Sequence, residues 1–99
     1  MTHYPPLPKS VQGAGGTIEV RLVVTVGPLA EDNLGQFIAD QRRIEIKKGL
    51  RGDVRWLVYY HELAHAALWD SGAHNVVPGA AEEIVCDALA TARVRERFG

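Results

Sequence analysis

Residues 17–26 alternate between apolar and polar side chains, and this alternation predicts a β-strand with one buried face. The apolar positions are Ile18, Val20, Leu22, Val24 and Val26. The dipeptide Gly27-Pro28 follows directly and ends the pattern, because proline has no backbone N–H to donate to a sheet. The sequence therefore predicts one strand that ends before residue 27.

A pair of shorter segments predicts a β-hairpin. Residues 35–39 form its first strand, a turn lies near residues 40–42, and residues 43–47 form its second strand. Ile44 and Ile46 are predicted to face inward because they alternate with charged residues. Together with the preceding strand, this hairpin gives a small three-stranded sheet.

Apolar residues then recur with helical spacing from Asp53 to about Asp70. Asp53 is the predicted N-cap, and Gly72 in the following loop is the predicted C-terminal stop. The residues predicted to share one helix face are Val54, Leu57, Val58, His61, Ala64, His65 and Leu68.

A second helix is predicted from Pro78-Gly79 to about Phe98. Its predicted apolar side consists of Ile84, Val85, Ala88, Leu89, Ala92 and Phe98. The order strand, hairpin, helix, helix predicts an α+β fold with the helices on one face of the sheet.

Composition narrows the class of protein. The chain has 99 residues and a net charge of −1, with Lys and Arg spread along it, so we expect one domain and no nucleic-acid partner. A single cysteine excludes an internal disulfide framework, and no apolar stretch approaches the ~18 residues of a membrane span. We expect a soluble, cytoplasmic protein. The Pro- and Gly-rich residues 1–16 are predicted to be a flexible tail before a domain at residues 17–99.

His61, Glu62 and His65 form an HExxH motif inside the first predicted helix. Each helical residue turns by ~100°, so His65 lies only ~40° around the axis from His61, and both rings can bind one Zn²⁺. Glu62 stands beside this pair, where a general base can take a proton from a metal-bound water. Two uncoordinated histidines on an apolar face would leave polar atoms unsatisfied, which favours a metal site over a chance motif.

Catalytic zinc usually has three protein ligands and one open position, so a third ligand is needed. Asp70 follows His65 by five residues and points ~140° away from it, which predicts a surface carboxylate at the helix end. His74 does not have the spacing of HExxHxxGxxH, and the only methionine is Met1, so the metzincin pattern with its Met-turn does not fit. Cys86 follows the motif, whereas a deformylase-like site has its cysteine before it; Cys86 is predicted to be a small buried hydrophobe.

Glu83 and Asp87 remain, four residues apart and therefore on one face of the second predicted helix. We expect Glu83 to be the third metal ligand and Asp87 to accept the spare N–H of a zinc-bound imidazole. Glu82 is predicted to be a surface residue. The alternative for all three is an acidic stripe on a solvated helix face.

HExxH at residues 61–65, followed by Glu83-Ile84-Val85-Cys86-Asp87-Ala88-Leu89-Ala90, resembles the gluzincin arrangement of zinc metallopeptidases. In that arrangement a glutamate within an E-x-x-x-D pattern on the next helix completes the metal site. The resemblance is closer to minimal gluzincins, which are the small members of that group, and to the ImmA/IrrE-like bacterial and phage peptidases. The glutamate helix of these peptidases reads E-x-x-A-N/D-x-F-A. The resemblance covers roughly residues 17–98. It implies a zincin-like fold, one Zn²⁺ per chain, and peptide-bond hydrolysis with Glu62 as the general base.

The resemblance also implies how a peptide or protein substrate binds, namely antiparallel to an edge strand, for which residues 34–40 are the candidate. His74, on the interhelical loop, is the candidate donor to the oxyanion of the transition state. A flexible N-terminal tail can reach the cleft of its own chain or that of a neighbouring copy. Binding in a neighbouring cleft would make the protein self-associate, and we treat this as a hypothesis. The alternatives to a peptidase are a metal-stabilised, non-catalytic peptide-binding module and a regulator-associated zincin domain. Glu62 argues against the binding module, because a structural zinc site has no use for a base.

Overall fold

Four strands and two long helices follow one another in the computed structural model, which describes residues 3–26 and 33–99. The strands are β1 (Ser10–Gly13), β2 (Gly16–Val23), β3 (Gly35–Ile38) and β4 (Arg43–Lys47). The helices are α1 (Gly52–Ser71) and α2 (Gly79–Phe98), and short 3₁₀ turns occupy Ala39–Gln41 and Ala73–Asn75. The predicted α+β class is therefore confirmed.

The sheet has four strands in the order β1-β2-β4-β3, one more than the predicted three. β3 and β4 form the expected antiparallel hairpin, whereas β2 and β4 are parallel, with Val20 opposite Ile44 and Leu22 opposite Ile46. Among the described strands, β3 is one edge of the sheet and β1 is the other. This order places β3, but not β1, next to the residues of the HExxH motif.

The prediction of a flexible tail at residues 1–16 is wrong for the part that the structure describes. β1 pairs antiparallel with β2, and the Val20 backbone N–H donates to the Lys9 carbonyl at 2.9 Å. Before β1, the Trp56 indole N–H donates to the Pro5 carbonyl at 2.8 Å, and the Tyr4 ring lies 4.8 Å from that of Phe98. The segment is held because it gives a buried indole its hydrogen-bond partner and covers the backbone groups of β2. It therefore lies at the opposite edge of the sheet from β3.

β2 ends at Val23, three residues earlier than predicted. Ile18 and Val20 are buried as expected, but Leu22 and Val24 are exposed, and Val26 is buried again outside the strand. Alternation alone cannot show how far along a strand other residues cover its apolar face. In this structure that cover does not extend to Leu22. The predicted stop at residues 27 and 28 lies outside the described residues.

The core lies between the sheet and α1. Ile18, Ile44 and Ile46 are fully buried from the sheet side, which confirms the predicted inward face of β4. From α1, Trp56 packs edge-on against the neighbouring Tyr59, with ring centroids 5.4 Å apart. Large aromatic rings add much apolar area to a core, which matters in a domain of this size.

Helix α1 begins at Gly52, so Asp53 lies in its first turn and is not the N-cap. Its carboxylate accepts from the Arg51 guanidinium at 3.0 Å instead of capping the helix. A carboxylate in the first turn still interacts favourably with the helix dipole. The predicted stop is confirmed, because Gly72 adopts a φ of 79° and its N–H bonds to the Trp69 carbonyl at 3.1 Å.

Asp70 is not the surface carboxylate that the sequence predicts, since its side chain is only 4% exposed. Both terminal nitrogens of Arg42 donate to it, and the Gly15 backbone N–H donates at 2.9 Å. These bonds tie the β1–β2 turn and the β3–β4 connection to the end of α1. They also keep the pKa of Asp70 below its usual range, chiefly through the hydrogen bond from Arg42.

Helix α2 packs mainly against α1, and the face it presents differs from the predicted one. The buried residues are Cys86 and Ala90, whereas Ile84 is 70% exposed. Val85, Ala88, Leu89 and Ala92 are also exposed, so of the predicted apolar side only Phe98 points towards the core. Small side chains let α2 approach α1 closely. Neither helix, nor any other within residues 3–26 and 33–99, combines the length and apolar character needed to cross a bilayer.

Candidate metal and catalytic site

His61 and His65 lie one turn apart on α1, and their side chains contact each other on one side of the helix. The ring centroids are 4.8 Å apart, and the two Nε2 atoms are 3.1 Å apart. Both side chains are largely buried, with about one sixth of their surface exposed. Helical spacing alone accounts for this arrangement, because residues four apart project from the same side.

Glu83 reaches the same point from α2. Its Oε2 lies 3.2 Å from Nε2 of His61, and its Oε1 lies 2.8 Å from Nε2 of His65. The structure thus brings together the three residues that the sequence predicts as metal ligands. The same rotation of α2 that buries Cys86 and Ala90 turns Glu83 towards α1, since Glu83 precedes Cys86 by three residues.

The second ring nitrogen of each imidazole, Nδ1, lies within hydrogen-bond distance of a carboxylate from α2. Asp87 Oδ1 lies 2.7 Å from Nδ1 of His61, as the sequence predicts, and Glu82 Oε2 lies 2.6 Å from Nδ1 of His65. Glu82 is therefore not the surface residue it was predicted to be. The signal that could have identified it is the pair of adjacent carboxylates at 82 and 83, which faces two histidines one turn apart.

These contacts bear on which nitrogens can bind a metal. When each Nδ1 donates its proton to the carboxylate next to it, the lone pair of each Nε2 in a neutral imidazole faces the other ring and Glu83. Two Nε2 lone pairs and the Glu83 carboxylate would then converge on one point, where they repel one another without a shared cation. Two imidazole nitrogens and one carboxylate are the donor set of a catalytic zinc site. The residues present therefore fit a divalent metal ion.

Glu62 stands beside these donors and is 8% exposed. Its Oε2 lies 4.0 Å from Nε2 of His61. Burial raises the pKa of Glu62, while His65 and His61 in their protonated form and a hydrogen bond from the Phe37 backbone N–H lower it. The carboxylate is thus close to the metal donors without being one of them, which is where the sequence places the general base.

The site opens into a cleft of about 600 Å³ between β3 on one side and the two helices on the other. Four carboxylates line it, those of Glu62, Glu82, Glu83 and Asp87, and no Lys or Arg among the described residues does. His74, the candidate oxyanion donor, also lines this cleft, and its ring stacks on that of Trp69.

Cys86 lies behind the site and takes no part in it. Its side chain is fully buried, as the sequence predicts. Burial first, and then the surrounding carboxylates of Glu82 and Glu83, raise the pKa of the thiol to about 12. A thiol with that pKa is neutral and unreactive near neutral pH.

Comparisons with protein families, with curated proteins and with solved structures gave no match to this chain. What the protein does must therefore be argued from the arrangement of His61, His65 and Glu83 and the groups around them.

Proposed function

We propose that this protein is a zinc-dependent endopeptidase. The observation that carries the proposal is the convergence of His61 Nε2, His65 Nε2 and the Glu83 carboxylate within 3.2 Å of one another, with the buried carboxylate of Glu62 alongside. Asp87 and Glu82 support it, because metal-binding histidines almost always donate their second N–H to such a group. A solvated acidic stripe would not explain why two carboxylates bind the rear of the two rings.

A Zn²⁺ ion held by His61, His65 and Glu83 would lower the pKa of water at the site towards about 7 and polarise a substrate carbonyl. Glu62 accepts the proton that the attacking water loses as its oxygen bonds to the carbonyl carbon of the scissile peptide. The same carboxyl group then gives that proton to the departing amine nitrogen as the C–N bond breaks, so Glu62 ends the reaction ionised, as it began.

Asp87 and Glu82 contribute by holding a proton on each Nδ1. This keeps both rings in the tautomer that binds metal through Nε2 and keeps their orientation constant. The burial of Glu62 suits a general base, because a raised pKa makes a carboxylate a better proton acceptor when it is ionised.

Strand β3 is the proposed place for the substrate backbone. Among residues 3–26 and 33–99 it pairs with β4 alone, and its residues Gly35, Gln36 and Phe37 line the cleft beside Glu62. An extended peptide can add to such an edge through backbone hydrogen bonds, without a strict demand on its side chains. We therefore propose an unfolded or extended peptide segment as the class of substrate.

The test begins with metal content. We expect about one zinc ion per chain in the purified wild-type protein and loss of that zinc in Glu83→Ala, since one of three ligands is removed. Glu96→Ala, on the exposed side of the same helix, is the matched control and should retain the metal. A chain that binds no divalent metal, or a Glu83→Ala variant that binds it as tightly as wild type, would contradict the ligand assignment.

The second measurement separates hydrolysis from binding. Glu62→Gln should retain zinc but lose turnover of a peptide library by at least about 100-fold, the lower range for a general base. Residual activity at the wild-type level would remove Glu62 from the mechanism. If wild type and Glu62→Gln both bind zinc and peptide and neither hydrolyses it, the protein is a metal-stabilised peptide-binding module.

A further inference from the structure

The wall of the cleft beyond His65 carries an aromatic pair that the proposed chemistry does not use. Trp69 follows His65 by four residues on α1, and its side chain is 47% exposed although it is a large apolar group. Its ring stacks on that of His74, with centroids 4.1 Å apart and planes inclined by 22°. Both rings line the cleft that contains the metal donors. A tryptophan held in this way offers a broad, rigid contact surface to a ligand.

Helix geometry gives the distance of this pair from the reacting atoms. His61, His65 and Trp69 are each four residues apart, so successive members are shifted by ~40° and all three lie within ~80° around the axis of α1. From the midpoint of the two histidines to Trp69 is six residues, or ~9 Å along the axis at ~1.5 Å per residue. An extended peptide advances ~3.3 Å per residue. The substrate side chain that contacts Trp69 therefore belongs to the second or third residue from the scissile bond.

The direction of β3 decides which side of the scissile bond this is. The Gly35 backbone lies against Val58 and Glu62, and the backbone N–H of Phe37, two residues later, reaches the Glu62 carboxylate. β3 therefore runs along the cleft in the same direction as α1. A peptide antiparallel to β3 runs the other way, so its N-terminal part lies beside Trp69.

We infer that Trp69 and His74 form a subsite for an aromatic or long apolar side chain at the second or third residue before the scissile bond. The inference rests on the proposed peptidase function and on strand addition at β3. Stacking of a substrate ring on the indole adds to the gain from burying its apolar surface. We expect an overall preference of about tenfold in kcat/KM for phenylalanine over alanine at that residue.

The test uses capped peptides of alanine, glycine and serine in which a single phenylalanine is moved along the chain. The zinc-loaded wild-type protein should cleave the bond two or three residues after the phenylalanine, as mapped by mass spectrometry. A matched peptide with alanine there should be cleaved about tenfold less efficiently. In Trp69→Ala this ratio should fall to near one, whereas Trp69→Phe should keep most of it. Leu57→Ala, at the other end of the cleft, is the control that should keep the ratio.

Binding to zinc-loaded Glu62→Gln separates this inference from the chemistry. By calorimetry the phenylalanine peptide should bind more tightly than the alanine peptide, and adding Trp69→Ala should abolish the difference. Hydrolysis with no dependence on Trp69 in either assay overturns the subsite while the peptidase stands. A Trp69-dependent binding preference without hydrolysis keeps the subsite and overturns the peptidase. Neither binding nor hydrolysis overturns both.

Discussion

Asp70→Asn is the substitution from which we expect the largest loss of stability outside the apolar core. The change keeps the size of the side chain but removes its negative charge, to which two nitrogens of Arg42 donate hydrogen bonds. It also weakens the acceptor of the Gly15 N–H. Three hydrogen bonds, from two separate parts of the chain, therefore depend on one carboxylate at the end of α1.

The magnitude follows from burial. Breaking a buried ion pair costs about 3–5 kcal/mol, because the remaining charge is left without a partner. Arg42 is 26% exposed, so water can recover part of that loss, and the asparagine oxygen can still accept one hydrogen bond. We therefore expect the free energy of unfolding to fall by about 2–3 kcal/mol. For a domain of this size, this corresponds to a decrease in Tm of about 10–20 °C.

The assay is thermal and urea unfolding in excess EDTA, so that metal binding does not contribute. Asp53→Asn, on the same helix, is the control; its partner Arg51 is exposed, and we expect a change below about 1 kcal/mol. A double-mutant cycle with Arg42→Gln should show a coupling of about 1–3 kcal/mol between the two positions. A loss below about 0.5 kcal/mol in Asp70→Asn would refute the reasoning.

The same pair predicts a dependence on pH. The pKa of Asp70 is lowered in the folded protein, so its contribution is fully present above the unfolded value near 3.8. The contribution is lost as the pH falls through the folded pKa, because the carboxylate must then take up a proton. The difference in stability between wild type and Asp70→Asn should be constant between pH 6 and 8, to about 0.5 kcal/mol, and shrink below about pH 4. A difference that stays unchanged at pH 3, to within about 0.5 kcal/mol, would show that charge is not its cause.

Three further outcomes follow from the site and its surroundings. Glu82→Gln and Asp87→Asn should each weaken zinc affinity by about 10–100-fold in a chelator competition, because each carboxylate orients one imidazole; unchanged affinity in both would separate these contacts from metal binding. Gly35→Ala should destabilise the protein by about 1–3 kcal/mol in urea unfolding, since its Cβ would overlap the Val58 side chain; a neutral effect would show that β3 can move away from α1. Cys86 should resist iodoacetamide at pH 8 in the folded protein and react in urea, because its buried thiol has a pKa of about 12; equal labelling in both states would contradict that burial.

Local patterns of one or two elements were predictable from the sequence. β4, the hairpin it forms with β3, and the two helices follow from short-range alternation and helical spacing. The convergence of His61, His65 and Glu83 was also accessible, because residues four apart share a helix face and one face of the next helix carries the remaining acids.

Features that depend on contacts between distant segments were not predictable. β1 is short and polar, and it becomes a strand only because β2 leaves an edge for it. Asp70 has the position of a surface residue until Arg42 and the Gly15 N–H are brought to it. Glu82 similarly acquires a partner only when α2 is placed beside α1 with one particular rotation. A single sequence contains no direct record of such pairings.

The rotation of α2 shows how the site and the fold depend on each other. Judged by apolar content alone, α2 should turn Ile84, Val85 and Leu89 towards the core, yet these residues are exposed and the smaller Cys86 and Ala90 are buried. The observed rotation gives up apolar burial, but it brings the three acids at 82, 83 and 87 to the two histidines of α1. A cation shared by the two Nε2 atoms and the Glu83 carboxylate would favour this rotation further. Helix α2 thus makes polar contacts to both histidines in addition to its packing against α1, and periodicity of apolar residues contains no information on such contacts.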